Sequence, residues 1–419
     1  MQPCVIIIGA GLGGLCLAQH LKKASIPCRI FERDLKADWR AQGYRISVPL
    51  EAADAIRKCL PDHMWELFEK TALGRSKGFG GFNALDASTI EQSMPTRPAY
   101  KGVTAPSPNA GAAAPPVRSG PAYMADRTVL RTLLTFGLED YIEYGKKFVR
   151  CEKAEQGMTA HFSDGTYHTS SIMIAADGAN SAVRRHYLPE HCLYDTHLRC
   201  FYGKSPLTEE LREKYNSEAM SKTAFIRQDE ISLYLLADPV LFQQDPHSID
   251  ARMHHADDYV YWALVANTKM IDISDSQLFD LSPEHVSDIA LQLTHHWHPS
   301  LRSVLELQDK SQTAVIRMHT AHPVIPEWES DPHITFIGDA AHTMLPTGGS
   351  GATTAFIDAA KLGDLLVQSN GRPTAETIAQ FERELRQYGG EKVKFSILGG
   401  GKIFPKFPTF EDCTPIRQW

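Results

Sequence analysis

Three short stretches are apolar at nearly every position, Val5-Ile6-Ile7-Ile8, Ile172-Met173-Ile174-Ala175-Ala176 and Ile334-Thr335-Phe336-Ile337, and residues 26–31 read as a further strand. Runs of this kind predict strands buried on both faces. Residues 223–227, 232–237, 259–265 and 313–319 instead alternate apolar with polar, which predicts a half-exposed antiparallel sheet. Alternation from 142 to 162, followed by Ser163-Asp164-Gly165-Thr166, predicts a small meander with a hairpin turn. Helical spacing marks 15–24, 49–60, 62–71, 283–295, 352–369 and 374–388, with Pro61 dividing the second from the third. Asp126 is placed to cap a further helix carrying Arg127, Leu130, Arg131, Leu133 and Leu134. Residues 40–49 read as a loop entering a short strand, and the glycine-rich 77–82 as a turn.

The fully buried strands therefore lie near both ends of the chain, with the half-exposed sheet between them. This order predicts a discontinuous α/β domain, residues 1–75, 123–190 and 320–390, with a mixed β-sheet domain, 191–319, inserted into it. Residues 76–122 are expected to be a partly low-complexity insertion and 391–419 a C-terminal tail. Residues 101–121, dominated by Pro, Ala, Gly and Ser, cannot bury a core and predict a mobile surface insertion.

A length of 419 residues suits two domains. The net charge of −7, from 43 basic and 50 acidic residues, gives no electrostatic case for nucleic acid or an anionic membrane. Residues 3–18 are apolar enough to mimic a signal peptide, but no basic segment precedes them. No other run approaches the ~20 apolar residues of a membrane helix. Eight scattered cysteines without a C-x-x-C pair predict free thiols in a reducing, cytoplasmic setting.

Three segments carry candidate chemistry. After the first strand, Gly9, Gly11 and Gly14 fit G-x-G-x-x-G, and Glu32, followed by Arg33, stands at the tip of the second strand. The first glycine permits a tight turn, the second close approach of a pyrophosphate, and the third helix-on-strand packing. The helix start offers unpaired N–H groups to phosphates, and Glu32 can accept from ribose hydroxyls. The second segment is Asp177-Gly178-Ala179-Asn180-Ser181-Ala182-Val183-Arg184. In the third, Gly338-Asp339 meets a strand end, and Pro346-Thr347-Gly348-Gly349-Ser350-Gly351 opens a long helix at Ala352. Such a helix start would stabilise negative charge placed against it.

Other candidates are weaker. Gly399-Gly400-Gly401-Lys402 hints at a phosphate loop, but Ser396 and Ile403 occupy the positions that need Gly and Ser or Thr. His295, His296 and His298 lack a nearby carboxylate or cysteine cluster and read as a polar helix end rather than a metal site. Tyr259 and Tyr261 share one strand face and compete with Val260 and Trp262 for the functional side. Arg227, ending a strand, could equally meet an anionic substrate or water.

Together the three motifs resemble the single-component (class A) FAD-dependent aromatic hydroxylases typified by p-hydroxybenzoate hydroxylase. The resemblance spans the chain except the 100–122 insertion and about the last twenty residues. It implies a Rossmann-like FAD-binding domain with an inserted mixed β-sheet substrate domain. It gives Gly9, Gly11 and Gly14 to the FAD pyrophosphate, with Glu32 and the adjoining Arg33 at the adenosine end. Arg45 would stand near the flavin, and Arg127 and Asp177 would contact FAD. Asp339 would hold the ribityl chain, with Gly351 and Ala352 facing the isoalloxazine. Thr353 departs from the Asn usual there. The implied activity is NAD(P)H-consuming monooxygenation in secondary metabolism or antibiotic modification: a flavin C4a-hydroperoxide transfers one oxygen atom of O2 to an aromatic or electron-rich small molecule. Arg227 and Tyr261 are the substrate-side candidates. A flavin-dependent halogenase shares the fold, but its W-x-W-x-I-P signature is absent; a flavin-binding module without turnover is the other alternative.

Overall fold

The computed structural model describes residues 4–35, 44–74, 78–91 and 123–416. The buried apolar runs assemble as a parallel sheet in the order Ile334–Phe336, Ile172–Ala175, Val5–Ile8, Cys28–Phe31 and Ile142–Glu143. Period-2 side-chain alternation sends Val5 and Ile7 to one core and Ile6 and Ile8 to the other. The first core lies under the helices Leu12–Lys23, Leu50–Cys59 and Gly351–Gln368. The second lies under a three-stranded antiparallel sheet, Phe148–Ala154, Gly157–Phe162 and Tyr167–Ser170. Layers on both faces explain why Val5–Ile8 and Ile172–Ala175 are apolar throughout; toward the edge Cys28–Phe31 and Ile142–Glu143 admit the charged Arg29 and Glu143.

The second sheet runs in the order Ala314–Thr320, Leu193–Pro206, Tyr259–Asn267, Leu233–Val240, Thr223–Gln228, Phe79–Asn83 and Thr89–Ile90. It is antiparallel except where Phe79–Asn83 pairs parallel with Thr223–Gln228, so it is mixed. Its outer face, including Trp262, Leu264, Ile226 and Leu235, packs on helices Pro283–Leu293 and Pro299–Glu306. Its inner face turns toward the nucleotide domain. There the two-stranded ribbon of Arg45–Val48 and Tyr123–Asp126 meets it.

Several expectations need correction. The first helix begins at Leu12, not 15, because Gly13 and Gly14 join it; a Cβ on Gly14 would overlap Gly9 O. Residues 142–143 belong to the parallel sheet, not the meander. The expected turn at 77–82 contains the strand Phe79–Asn83, so the 76–122 insertion begins inside the substrate sheet. Residues 92–122, and with them the low-complexity segment, lie outside the described residues. Leu193–Pro206, 14 residues long, was not expected at all. Its alternation is broken by a bulge between Asp195 and Leu198, where His197 has φ +58°. Finally, the last helix runs from Ala375 to Ile403. Gly389 and Gly390 stay helical because they pack on His342 and on Pro323 O, where a side chain would not fit. Residues 391–416 are therefore no separate tail, and Thr414–Ile416 pairs with Leu193–Pro206.

Candidate functional site

The strand Val5–Ile8 ends at Gly9, whose φ of +109° and contact with Ala176 O exclude a side chain. A Cβ on Gly11 would meet nothing within 4 Å, so this turn is open on one side. The helix Leu12–Lys23 starts there with no side-chain cap and no acid in its first turn. Its free N–H groups and positive end face that opening. Glu32 is buried, and its carboxylate accepts from Ala10 N at 2.7 Å and Asp34 N at 3.0 Å. It thus shapes the glycine turn as well as ending the second strand. Arg33 is exposed and lies 3.7 Å from the Asp34 carboxylate.

Asp177 accepts from Ala182 N at 2.7 Å and Val183 N at 3.2 Å, closing the second motif on itself. Burial raises its carboxyl above the usual range. Its Oδ1 is buried without a hydrogen bond among the described residues. Arg184, 4% exposed, donates to Ala179 O at 2.6 Å, Asp339 O at 3.3 Å and Ala340 O at 3.0 Å. It ties the second motif to the third, and burial lowers it to about 10.

The third motif turns at Gly338, with φ +60° and ψ −143°. Asp358 Oδ2 holds this turn, accepting from Gly338 N and pairing with His342 Nε2, each at 2.7 Å. Both side chains are fully buried. Burial opposes charge on His342, yet attraction and hydrogen bonding to Asp358 leave its pKa raised. Asp339, the next residue, is half-buried and its carboxylate makes no hydrogen bond among the described residues. Burial raises its pKa against the pull of His342, Arg127 and Arg184. A carboxylate placed by a glycine turn, flanked by cations and left without a donor is suited to accept from a hydroxyl. Beyond it the helix Gly351–Gln368 again starts without a side-chain cap or an acid in its first turn. Thr353 Oγ1 is buried and unpartnered among the described residues.

Arg127 opens the helix Arg127–Thr135, capped by Asp126 through Thr128 N and Val129 N, and lies 5.4 Å from the Tyr44 ring centre. On the facing sheet, the competition within Tyr259–Asn267 resolves in favour of the tyrosines. Tyr259 and Tyr261 point inward, Val260 and Trp262 outward. Tyr261 and Tyr202 sit 6.0 and 6.1 Å from Tyr44, ring centre to ring centre. Tyr259 OH donates to Asp126 Oδ2 at 2.6 Å. Arg45 is ion-paired with the buried Asp238, which also accepts from Thr223 Oγ1 at 2.5 Å. Arg227 shares Thr223's strand face but lies four positions away, about 13 Å. Its nearest charge partner is Asp229, at 3.4 Å. The structure thus brings Tyr261 into the site and leaves Arg227 at the far end of the sheet.

Asp238, Tyr44 and Tyr202 are given no role by the sequence reading, and Asp358 enters it only as the end of the third motif, Gly338 to Asp358. Asp358 closes the third motif seven residues after Gly351, and Tyr44 precedes Arg45; Asp238 and Tyr202 carry no local signal.

Residues 291–396 match the family model described as FAD binding domain. The dual O-methyltransferase/FAD-dependent monooxygenase of Cercospora beticola is 33% identical, over 98% of this chain and 47% of that protein. The chain spans about half the length of this relative and of two others with the same dual description. An FAD-dependent monooxygenase of Trichoderma harzianum is 27% identical over 96% of this chain and 95% of its own length. Among solved structures, a Photorhabdus luminescens protein, assigned provisionally as an FAD-containing monooxygenase, aligns with a TM-score of 0.75. Its identity is 26%, with 96% of this chain and 98% of that chain covered. The 2,6-dihydroxypyridine-3-hydroxylase of Arthrobacter nicotinovorans shares the fold, with TM-score 0.72, 16% identity, and 98% and 97% coverage.

Proposed function

We propose that the chain is a single-component FAD-dependent aromatic hydroxylase, one of the p-hydroxybenzoate hydroxylase-like monooxygenases, that binds FAD in the glycine cradle and oxygenates a small aromatic substrate at the inner sheet face. The observation that carries this reading is Asp339: an undonated carboxylate at a left-handed glycine turn, between two helix starts with no caps of their own. The donor and acceptor set fits a flavin dinucleotide. Gly9, Gly11 and Gly14 with the first helix would admit the pyrophosphate, and Glu32 and Arg33 would meet the adenosine end. Asp339 would take a ribityl hydroxyl, and the start of the Gly351–Gln368 helix would favour negative charge at the pyrimidine end. Arg45, Arg127 and Asp177 complete the set, Asp177 by shaping the turn that Arg184 fastens to Asp339.

When bound, FAD would supply the redox chemistry, with NADH or NADPH as the reductant and O2 as the source of the transferred oxygen atom and of water. The chain's own share is binding, orientation and exclusion of water. Tyr44, Tyr202 and Tyr261 offer a wall for a planar aromatic ring. The Arg45–Asp238 pair fixes the ribbon of the nucleotide domain against the sheet, holding the two halves of the site together.

The Cercospora relative joins O-methyl transfer with monooxygenation, which supports a phenolic substrate, since a ring hydroxyl both activates the ring and accepts a methyl group. A secondary-metabolite aromatic is therefore our substrate class. All eight cysteines are free, in keeping with a cytoplasmic, reducing setting, and among the described residues no helix is long and apolar enough to cross a membrane. Halogenation is not favoured, because the relatives carry monooxygenase names. The test is NAD(P)H consumption with simultaneous peroxide measurement over a panel of phenols and polyketide aromatics. The right substrate should accelerate oxidation and divert peroxide to water. An FAD-loaded protein that never oxidises NAD(P)H would instead be a flavin-binding module.

A further inference from the structure

The loop between Asp339 and the Gly351–Gln368 helix is held from an unexpected direction. Ser396, on the part of the last helix beyond the expected boundary, is fully buried against it. Its Oγ accepts from Leu345 N at 3.2 Å while donating to Val393 O at 2.7 Å. Its carbonyl accepts from Thr347 Oγ1 at 2.6 Å. A Cβ on Gly348 would lie 3.0 Å from Ser396 Cα and 3.1 Å from its Cβ, so the loop backbone rests directly on this residue. The loop then turns at Gly349, with φ +54°, and delivers the uncapped helix start. A buried helical serine commonly does no more than bond its own preceding turn. Here two further hydrogen bonds and a glycine contact converge on one loop.

We propose that Ser396 is a positioning residue: it sets the height of loop 345–350 against the pyrimidine end of bound FAD, and so the preference for reduced over oxidised flavin. The inference rests on the FAD reading above. The physical link is short. Charge appears at the pyrimidine end on reduction, and N–H groups aimed at developing charge act strongly when preorganised and out of water. A loop free to settle elsewhere gives up part of that stabilisation. The same helix ends at Ile403, where Phe404 stacks on Tyr234 at 4.6 Å and Tyr234 OH donates to Pro405 O. The segment 396–405 thus joins the loop to the inner face of the substrate sheet.

The test uses the FAD-loaded full chain with Ser396→Ala, Thr347→Val and Gly348→Ala, reading the flavin midpoint potential and visible spectrum. Each variant should retain one FAD per chain yet bind reduced FAD less well relative to oxidised, by roughly tenfold, or about 30 mV for a two-electron couple. The flavin bands should shift with it. Variants that melt earlier but keep the parent potential and spectrum would make Ser396 merely structural and overturn the proposal. Thr347→Val, which removes a single hydroxyl from a half-buried site, decides the matter if Ser396→Ala does not fold. A parent protein that takes up no FAD would instead sink the flavoprotein reading itself.

Discussion

In the nucleotide cradle, most groups that would meet a cofactor are backbone: open N–H groups at two helix starts, and turns at Gly9 and Gly338 that no side chain could replace. Across from it, the sheet presents side chains from strands far apart in sequence: Tyr202, Thr223, Asp238, Tyr259 and Tyr261. Backbone chemistry serves one ligand shape and is written in glycine spacing. Side-chain chemistry can be exchanged residue by residue while the sheet stays intact. The first region should therefore decide whether FAD binds, and the second what is oxidised.

The sharpest way to break that division is Gly14→Val. The new side chain would overlap Gly9 O and press on Ile7 and Ala176, forcing the helix off its strand. FAD affinity should fall by more than about a thousandfold, or ~4 kcal/mol, read as flavin retained on purification. Tyr261→Leu, the matching change on the sheet, should leave flavin content at the parent level. Equal flavin in both variants would erase the distinction.

Next in size is Asp238→Ala, which strands the Arg45 charge at the seam between the domains. Removing one partner of a buried pair costs about 3–5 kcal/mol, and because Arg45 keeps some solvent access the lower end is expected. Denaturant unfolding measures it. A stability equal to the parent would mean the pair does not hold the domains together.

A third effect is in pH. Burial, assisted by Arg184 and Arg317, lowers His319 to about 4 from an ordinary 6.5. The folded state therefore holds this ring neutral, while the unfolded chain protonates it below about 6.5. Its contribution is complete above 6.5 and is lost as pH falls to about 4, by roughly 3 kcal/mol. Asp177 and Asp339, raised by burial, oppose part of that slope, so the readout is the difference between the parent and His319→Gln. Identical slopes would contradict the assignment.

The same contrast explains what was legible in the sequence. In the parallel sheet, Val5–Ile8, Ile172–Ala175 and Ile334–Phe336 are legible because burial on two faces leaves continuous apolar runs, and the cradle is legible because its glycines are local; Ile142–Glu143, two residues long, reads instead with the meander. Tyr202 and its strand Leu193–Pro206 stayed hidden: the bulge at His197 breaks the alternation, and the buried Arg199, neutralised by Asp195 and Asp275, reads as surface in a linear pattern. Phe79–Asn83 looked like a turn because its two glycines are tolerated only through pairing with Thr223–Gln228. The last helix was cut short at glycines whose reason, contact with His342 and Pro323, is tertiary. Asp238 could not be found, since its importance lies wholly in facing Arg45 across the domain seam.

The most direct test of the account is titration of apoprotein with FAD, parent beside Asp339→Ala, Glu32→Ala and Tyr261→Leu. Each of the first two removes a charge-assisted hydrogen bond to a cofactor hydroxyl, of order 1.5–3 kcal/mol. The account predicts one FAD per chain, roughly ten- to a hundredfold weaker binding in both carboxylate variants, and parent affinity in Tyr261→Leu. Unchanged affinity in the carboxylate variants, or no FAD bound by the parent, would contradict it.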